Sequence, residues 1–458
     1  MNKIKSISFL LILFTAFSLA QEELKISDAV KITLENNLDI KIIENQTKIS
    51  KNNASIINSG YLPTVRSNAG INKSEQDIEI ETPNNISGKL DEMKSENSFS
   101  NVTVNYTLFD NTGRNFNYKK SKELLNKSKL EVKEVIENTL LQLFTVYYEV
   151  CRLIEEKEII QSSIEISKSR LERKKIQFEF GQTTKLEVLN AEVDVNTDSI
   201  RYLNSIKNLS SAKRDLNLIM NVDLDSDYSY DKMVTYKSKE NILEFYNSAS
   251  ENNNRLKIYN KSIIISNYEL QSIKSTYLPT IGLIGSYDWN ESTNNNPYAF
   301  FNTNIYNGFS GGINLSWDIF SGGKRITANK NAKIQLENSK IEREKAILAF
   351  NKELNNTYET YMNNLFILEV QEKSLNTSNN NFLRNLEKYN IGIVSSIEFR
   401  RAQINLLNAE LSRNTAMYDA KLSELIFLKI SGQIIENSFW ILNKLKYSNH
   451  LDTILMNL

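Results

Sequence analysis

Apolar positions along this chain follow two different periods, and the switch between them happens twice. Over residues 112–180 and again over 324–391 they recur every three or four residues, with no proline and no glycine past the first positions. Ile136, Leu140, Leu143, Tyr147, Val150 and Ile154 form a heptad seam, continued more sparsely by Ile164, Leu171 and Phe178. That spacing belongs to a helix buried along one side. Each stretch predicts a helix roughly 100 Å long at ~1.5 Å per residue. Return helices are predicted over 183–221, with Leu186, Leu189, Val193, Ile200 and Leu203, and over 395–431, with Ile397, Ile404, Leu407, Leu411, Tyr418 and Leu425. Two more are expected over 27–59 and about 240–275.

Between the helices the period drops to two, the mark of strands with unlike faces. Val102, Val104, Tyr106 and Leu108 alternate with Thr103, Asn105 and Thr107; Ile313, Leu315, Trp317 and Ile319 alternate with Asn314, Ser316 and Asp318. Ile281, Leu283, Tyr287 and Trp289 form a third set and Thr64–Ile71 a weaker fourth. Pro63 and Pro279 stand at helix-to-strand junctions, since proline disfavours helix at the preceding residue and cannot donate in a ladder. Polar segments 72–98 and 290–308 read as loops between paired strands.

The two periods belong to one duplicated unit. Gly60-Tyr61-Leu62-Pro63-Thr64 recurs as Thr276-Tyr277-Leu278-Pro279-Thr280, 216 residues on. Val102–Lys122 aligns with Ile313–Lys333 at an offset of 211, which pairs Phe109 with Phe320 and Arg114 with Arg325. The same offset carries Gly181 onto Gly392, Glu187 onto Glu398 and Ile219 onto Ile430. The division is thus 1–20, 21–59, 60–111 (first strand pair), 112–221 (hairpin with its tip at Gly181), 222–239, 240–275, 276–321 (second strand pair), 322–431 (hairpin with its tip at Gly392) and 432–458.

Composition removes alternatives. All 4 prolines and 11 of the 14 glycines lie in or beside the strand regions, leaving the remainder free to be helix. Lys+Arg and Asp+Glu are both 55, so no net field selects nucleic acid. One cysteine, Cys151 in an apolar helical stripe, reads as a small core residue, and one histidine, His450, as a surface residue; neither a His/Cys metal site nor a catalytic triad can be built. No cofactor is called for. Lys3 and Lys5, the apolar run Ser8–Leu19 and Ser18-Leu19-Ala20 read as a cleaved secretion signal. Its removal leaves 53 basic against 55 acidic residues, near −2.

Nothing else is a transmembrane helix, so any membrane crossing must be by strands. Aromatics decide for that reading. Tyr61, Tyr106, Phe109, Tyr277, Tyr287, Trp289, Trp317 and Phe320 cluster near strand ends, where interfacial girdles sit. Four strands cannot close a barrel, which takes ~8 or more, and open edges are forbidden in lipid. Strands must be pooled between chains; two chains give eight and three give twelve. The fold class is mainly α with a small β part, internally duplicated. A structural periplasmic coiled coil with decorative hairpins would explain the heptads but neither the aromatic strands nor the repeated register, and a periplasmic hydrolase lacks a catalytic set.

The layout resembles the TolC family of outer-membrane efflux ducts over nearly all of 24–432. Its marks are Leu24-x-Ile26-Ser27-Asp28-Ala29-Val30 with Glu35-Asn36-Asn37, the two YLPT motifs, and the blocks Phe178-x-x-Gly181 and Tyr389-x-x-Gly392. The resemblance implies a homotrimer, with a shared twelve-stranded barrel in outer-membrane lipid on a periplasmic α-barrel of coiled-coil helices. It implies a periplasmic adaptor protein and an inner-membrane transporter of the RND, ABC or MFS type, and no enzyme activity. The function expected is a gated, passive exit for small molecules; a duct for type I protein secretion is the alternative. By resemblance the adaptor docks at Gly181, Gln182, Thr183, Gly392, Ile393 and Val394. Glu187, Tyr389 and Glu398 match positions that hold the periplasmic mouth shut, and Arg401 stands where a second acid is expected. Thr184-x-x-Glu187 and Ser395-x-x-Glu398 also read as capping boxes, so each glutamate can cap a helix, line a gate, or both.

Overall fold

The computed structural model describes residues 23–81, 87–297 and 299–443. The signal read over 1–20 lies outside the described residues, as does the tail beyond 443 with His450. Two compact units are built from interleaved segments of the chain.

One unit comprises Gln46–Ser128 and Tyr259–Arg343. Its centre is a four-stranded antiparallel sheet of β2 (Thr64–Glu81), β3 (Ser87–Phe109), β5 (Thr280–Asn294) and β6 (Thr303–Ser316), in the order β2-β3-β5-β6. Register sorts the side chains cleanly. Val65 pairs with Val104, Val102 with Tyr287, Leu283 with Ile313 and Tyr287 with Phe309, all on one apolar face. The opposite face carries Asn68, Asn101, Thr103, Ser286, Asp288 and Ser310. The apolar face is bare: Phe309 is 89% exposed and Ile313 74%. From Ile281 to Trp289 it spans about 26 Å along the strand, at ~3.3 Å per residue, close to the ~25 Å band of outer-membrane barrels.

The strands are longer than the alternation alone predicts. Segments 72–98 and 290–308, read as loops, are largely ladder: β2 runs on to Glu81, and β3 starts at Ser87. Cross-strand pairs sustain this extension. Lys73 meets Glu96 at 3.0 Å, Lys94 meets Glu75 at 3.5 Å, and the Ser74 and Ser95 hydroxyls lie 2.7 Å apart.

Below the sheet, each YLPT junction is clamped by the arginine that opens the following helix. Arg114 Nη1 donates to the Gly60 carbonyl at 3.2 Å, and its guanidinium lies 5.1 Å from the Tyr61 ring centroid. Arg325 Nη1 donates to the Thr276 carbonyl at 2.8 Å, with Tyr277 at 5.5 Å. Tyr61 and Tyr277, read as interface aromatics at strand ends, thus sit ahead of the strands under these arginines. Pro63 and Pro279 directly precede β2 and β5. Neither stands directly after a helix: before Pro63 the α-helix stops at Asn53, a 3-10 turn follows at Ile56–Asn58 and Gly60 turns the chain at φ +76°, and before Pro279 the helix stops at Ser275.

The other unit holds the described parts of 1–45, 129–258 and 344–458. Helices α1 (Ile26–Asn36) and α2 (Leu38–Asn53) replace the single helix expected over 27–59, and α5 (Lys239–Asn252) and α6 (Asn254–Ser275) replace that over 240–275. The long helices are α3 (Gly113–Glu179) and α7 (Lys324–Asn390); their returns are α4 (Lys185–Met220) and α8 (Ser396–Ile430), followed by α9 (Ile434–Asn443). Ile136, Leu140, Leu143, Tyr147 and Val150 are buried in one core with Leu216, Met220 and Tyr418. Cys151 lies in that core, where burial pushes its thiol up to about 12. A parallel bridge joins β1 (Glu23–Leu24) to β4 (Ser229–Tyr230), and the Tyr147 hydroxyl donates to the Leu24 carbonyl at 2.8 Å. The apolar stripe on α4 behaves differently: Leu186, Val193, Ile200 and Leu203 are each at least 60% exposed.

Candidate functional site: the two hairpin tips

Both long helices end in the same local geometry. Gly181 and Gly392 adopt φ of +70° and +77°, a region glycine enters without steric cost. The Gln182 N–H reaches back to the Gln177 carbonyl at 2.7 Å, and the Gly181 N–H to Phe178 at 2.9 Å. In the second tip Ile393 bonds Lys388 at 2.9 Å and Gly392 bonds Tyr389 at 3.2 Å. These are Schellman closures. Gln182 and Thr183, with Ile393 and Val394, complete the turns; Ile391 and Ile393 are 72% and 68% exposed.

The return helices start unequally. At Ser395 the box closes both ways: Glu398 N–H donates to Ser395 Oγ at 3.2 Å and Ser395 N–H to Glu398 Oε2 at 2.9 Å. The Ser395 amide and hydroxyl hold the exposed Glu398 carboxyl below the usual carboxylate range. At Thr184 only half the box forms, through a 3.4 Å bond from the Glu187 N–H. The Glu187 carboxylate turns instead toward Lys174 on α3, 3.7 Å away. The two expected capping boxes are therefore one box and one cap, because a lysine on the facing helix competes for Glu187.

Tyr389 is 7% exposed and stacks on Phe399 with ring centroids 4.6 Å apart and planes 6° apart. The Arg173 guanidinium lies 4.9 Å from its other side and donates from Nη2 to the Asn390 carbonyl at 2.9 Å. Lys174 Nζ stands 6.0 Å from the same ring. Glu187 and Tyr389 thus have Lys174 between them. Glu398 stays with its cap, and Arg401 is exposed, making no ion pair with Glu398 within the chain among the described residues.

About two to five turns from the tips lies a cluster that the sequence reading missed. Arg400, beside the exposed Arg401, points inward and grips Asp198 of α4 through two bonds of 2.7 and 2.8 Å. Ser167 of α3 donates to the same carboxylate at 2.6 Å. Gln403 donates to the Ser163 carbonyl at 2.8 Å, and Arg170 is paired with Asp194, which also lies 3.5 Å from Arg400. Burial alone would raise the Asp198 carboxyl, but Arg400 and Ser167 outweigh it and hold it below the usual range. This network ties the second hairpin to the first. Part of its sequence signal was present: Arg400 and Gln403 fall at i and i+3 on the stripe of Leu407, and Asp194 and Asp198 share one helical face.

A bare apolar sheet face of membrane height, joined in two repeats to long helical hairpins, defines a membrane-channel class of protein. The model of the family described as "Outer membrane efflux protein" matches residues 29–222 and 245–433. The chain belongs to that family. It is similar to outer membrane protein TolC of Vibrio cholerae, 22% identical over 321 residues, covering 66% of this chain and 70% of that one. It is also similar to the alkaline protease secretion protein AprF of Pseudomonas aeruginosa, 19% identical over 88% of this chain and 83% of that one. The crystal structure of the Campylobacter jejuni CmeC outer membrane channel shares the fold with a TM-score of 0.75 at 16% identity, covering 89% of this chain and 86% of that one. The protein is accordingly an outer-membrane channel component with a large periplasmic part, and not an enzyme.

Proposed function

We propose that three copies of this chain form the exit duct of a tripartite efflux system, passive and gated, for small molecules leaving through the outer membrane. The observation that carries this reading is the pair of free sheet edges. Among the described residues β2 and β6 each have a strand on one side only, and an open edge in lipid leaves backbone groups unpaired at several kcal/mol each. Closing the sheet with the same strands of other copies removes every edge, and three copies supply twelve strands. The exposed stripe of Leu186, Val193, Ile200 and Leu203 on α4 supports association, since it has no cover among the described residues.

In this reading a periplasmic adaptor docks on the two tips through Gly181, Gln182, Thr183, Gly392, Ile393 and Val394. The inner-membrane transporter, of RND, ABC or MFS type, supplies the energy. The gate lies just inside the tips. Glu187 with Lys174, and Tyr389 clasped by Arg173, hold the hairpins in their resting geometry, while Glu398 and Arg401 line the mouth. A type I secretion duct is the second reading, favoured by the likeness to AprF, named as a protease secretion protein.

The test is single-channel conductance of the detergent-extracted mature protein in a planar bilayer, with its native mass. A trimer giving small, reproducible openings is expected. A protein that never enters the bilayer would hand the case to a structural coiled coil. Gly392→Pro should abolish export while the trimer still assembles; export that survives substitution at both tip glycines removes the docking assignment.

A further inference from the structure

On the polar face of the sheet one row carries two aromatic side chains. Gly70, Phe99, Asn290 and Tyr306 are direct neighbours across the four strands. Neighbouring rows on this face hold Asn68, Asn101, Asp288 and Gly308 on one side and Asn72, Asn97, Ser292 and Asn304 on the other. Two aromatic rings therefore stand between two hydrophilic rows, with the aliphatic Ile284 of this face three rows further in. They lie level with the outer limit of the apolar band, one residue beyond Trp289 on the opposite face.

The row has the form of a built site. The Phe99 ring lies across Gly70 so closely that a Cβ there would come within 2.8 Å of two ring atoms; only glycine lets the ring lie against the strand. Tyr306 is 56% exposed. With strands ~4.8 Å apart, the two ring-bearing positions are about 10 Å from each other, with the Asn290 amide between them. The next row inward carries Asp288, the single carboxylate among the polar-face positions of the described strands. Ser286 donates to it at 2.5 Å. Its neighbour on β6 is Gly308, where nothing lies within 4 Å of a Cβ position, so the carboxylate is open from that side. One row further in stands Arg66, beside Thr103.

We infer that Phe99, Tyr306 and Asp288 form a subsite inside the barrel, near its outer mouth, for planar organic cations. The inference rests on the duct reading, which places the polar face toward the lumen. The two rings offer π faces to a flat ligand, and a cation is attracted to such a face by the ring quadrupole. Asp288 supplies the opposing charge. Arg66 sets the inner limit, because a cation leaving the subsite toward the periplasm meets its guanidinium. In a trimer the row repeats three times, giving a collar of six rings at one height.

The probe is ethidium, added to the outer side of the reconstituted wild-type channel, with tetraethylammonium and a planar sulfonate dye of similar size as comparisons. Ethidium is expected to block from the outside, the other two at least tenfold more weakly. Phe99→Ala, Tyr306→Ala and Asp288→Asn should each weaken ethidium block about tenfold or more while leaving unblocked conductance near wild type. Gly70→Val, which evicts the Phe99 ring, should reproduce the Phe99→Ala result. A conducting channel that ethidium does not block from outside, or blocks equally in all variants, overturns the subsite and leaves the duct standing. A protein that conducts nothing under any condition overturns the duct reading, and the subsite with it.

Discussion

Asn37 and Asn253 do the same work in the two halves of the chain. Each interrupts a helix, and each side chain bridges two helices. Asn37 Nδ2 donates to the carbonyl of Ile219 at the end of α4, and Asn253 Nδ2 to that of Ile430 at the end of α8, both at 3.0 Å. On the other side, Asn37 Oδ1 accepts the Ile40 and Asp39 amides that open α2, and Asn253 Oδ1 accepts the Leu256 amide that opens α6. One side chain thus satisfies both an orphan N–H and an orphan C=O.

Asn37→Ala and Asn253→Ala should each cost about 1–3 kcal/mol, the sum of a cap and a hydrogen bond. Asn→Asp at either site keeps the cap and loses the donor, so it should cost less. Hydrogen exchange at 217–222 or 428–433 reads the effect locally. Protection unchanged in both alanine variants would show that packing alone holds these helix ends.

The three positive-φ glycines that end helices should not respond alike. Gly181 and Gly392 have nothing within 4 Å of a Cβ position, so Gly→Ala there meets backbone strain alone, about 1 kcal/mol. At Gly432, φ +72°, a Cβ would fall 2.8 Å from the Asn252 carbonyl carbon and oxygen. Gly432→Ala should lower the thermal midpoint clearly more than Gly181→Ala. Equal shifts would mean that the backbone at Asn252 yields freely.

Arg400 and Asp198 should show the asymmetry of a buried pair, their side chains being 10% and 2% exposed. Removing Arg400 alone, as Met, leaves a buried carboxylate and should cost about 3–5 kcal/mol; Arg400→Met with Asp198→Leu should cost less than the single change. Asp198's carboxyl is held low in the fold, so its contribution is present at neutral pH and is lost as pH falls through the folded pKa. Denaturation of Arg400→Met at pH 7 and at pH 3 checks both points, and the penalty should shrink in acid.

Glu137 titrates in the opposite sense. It is 5% exposed, and burial raises its carboxyl to about 7, partly offset by the 2.8 Å bond from Asn254 Nδ2; Glu134 adds to the rise, and Lys429 and Lys257 oppose it. An acid with a raised folded pKa loses stability as pH climbs from its unfolded value through the folded one, here from 4.5 to about 7. Glu137→Gln should therefore be nearly neutral at pH 4.5 and stabilising by on the order of 2 kcal/mol at pH 8. A pH-independent difference in unfolding midpoint would show that Glu137 stays charged in the fold.

Much of this architecture was legible in the chain because it is written in local quantities. The 3.6-residue period sets the long helices, the two-residue period sets the strands, and glycine alone turns comfortably at Gly181 and Gly392, so two passes of the same pattern predicted two repeats. What the tertiary structure decided is where a distant group competes with a local one. Asn37 breaks a helix because the Ile219 carbonyl is there to accept its amide. Strands 73–81 and 87–96 persist because Lys73 and Glu75 find Glu96 and Lys94 opposite. Glu187 leaves its capping box for Lys174, and Arg400 turns inward while Arg401 stays out, because Asp198 of another helix lies within reach. Periodicity tells which face of an element is buried; only the fold tells which partner it finds there.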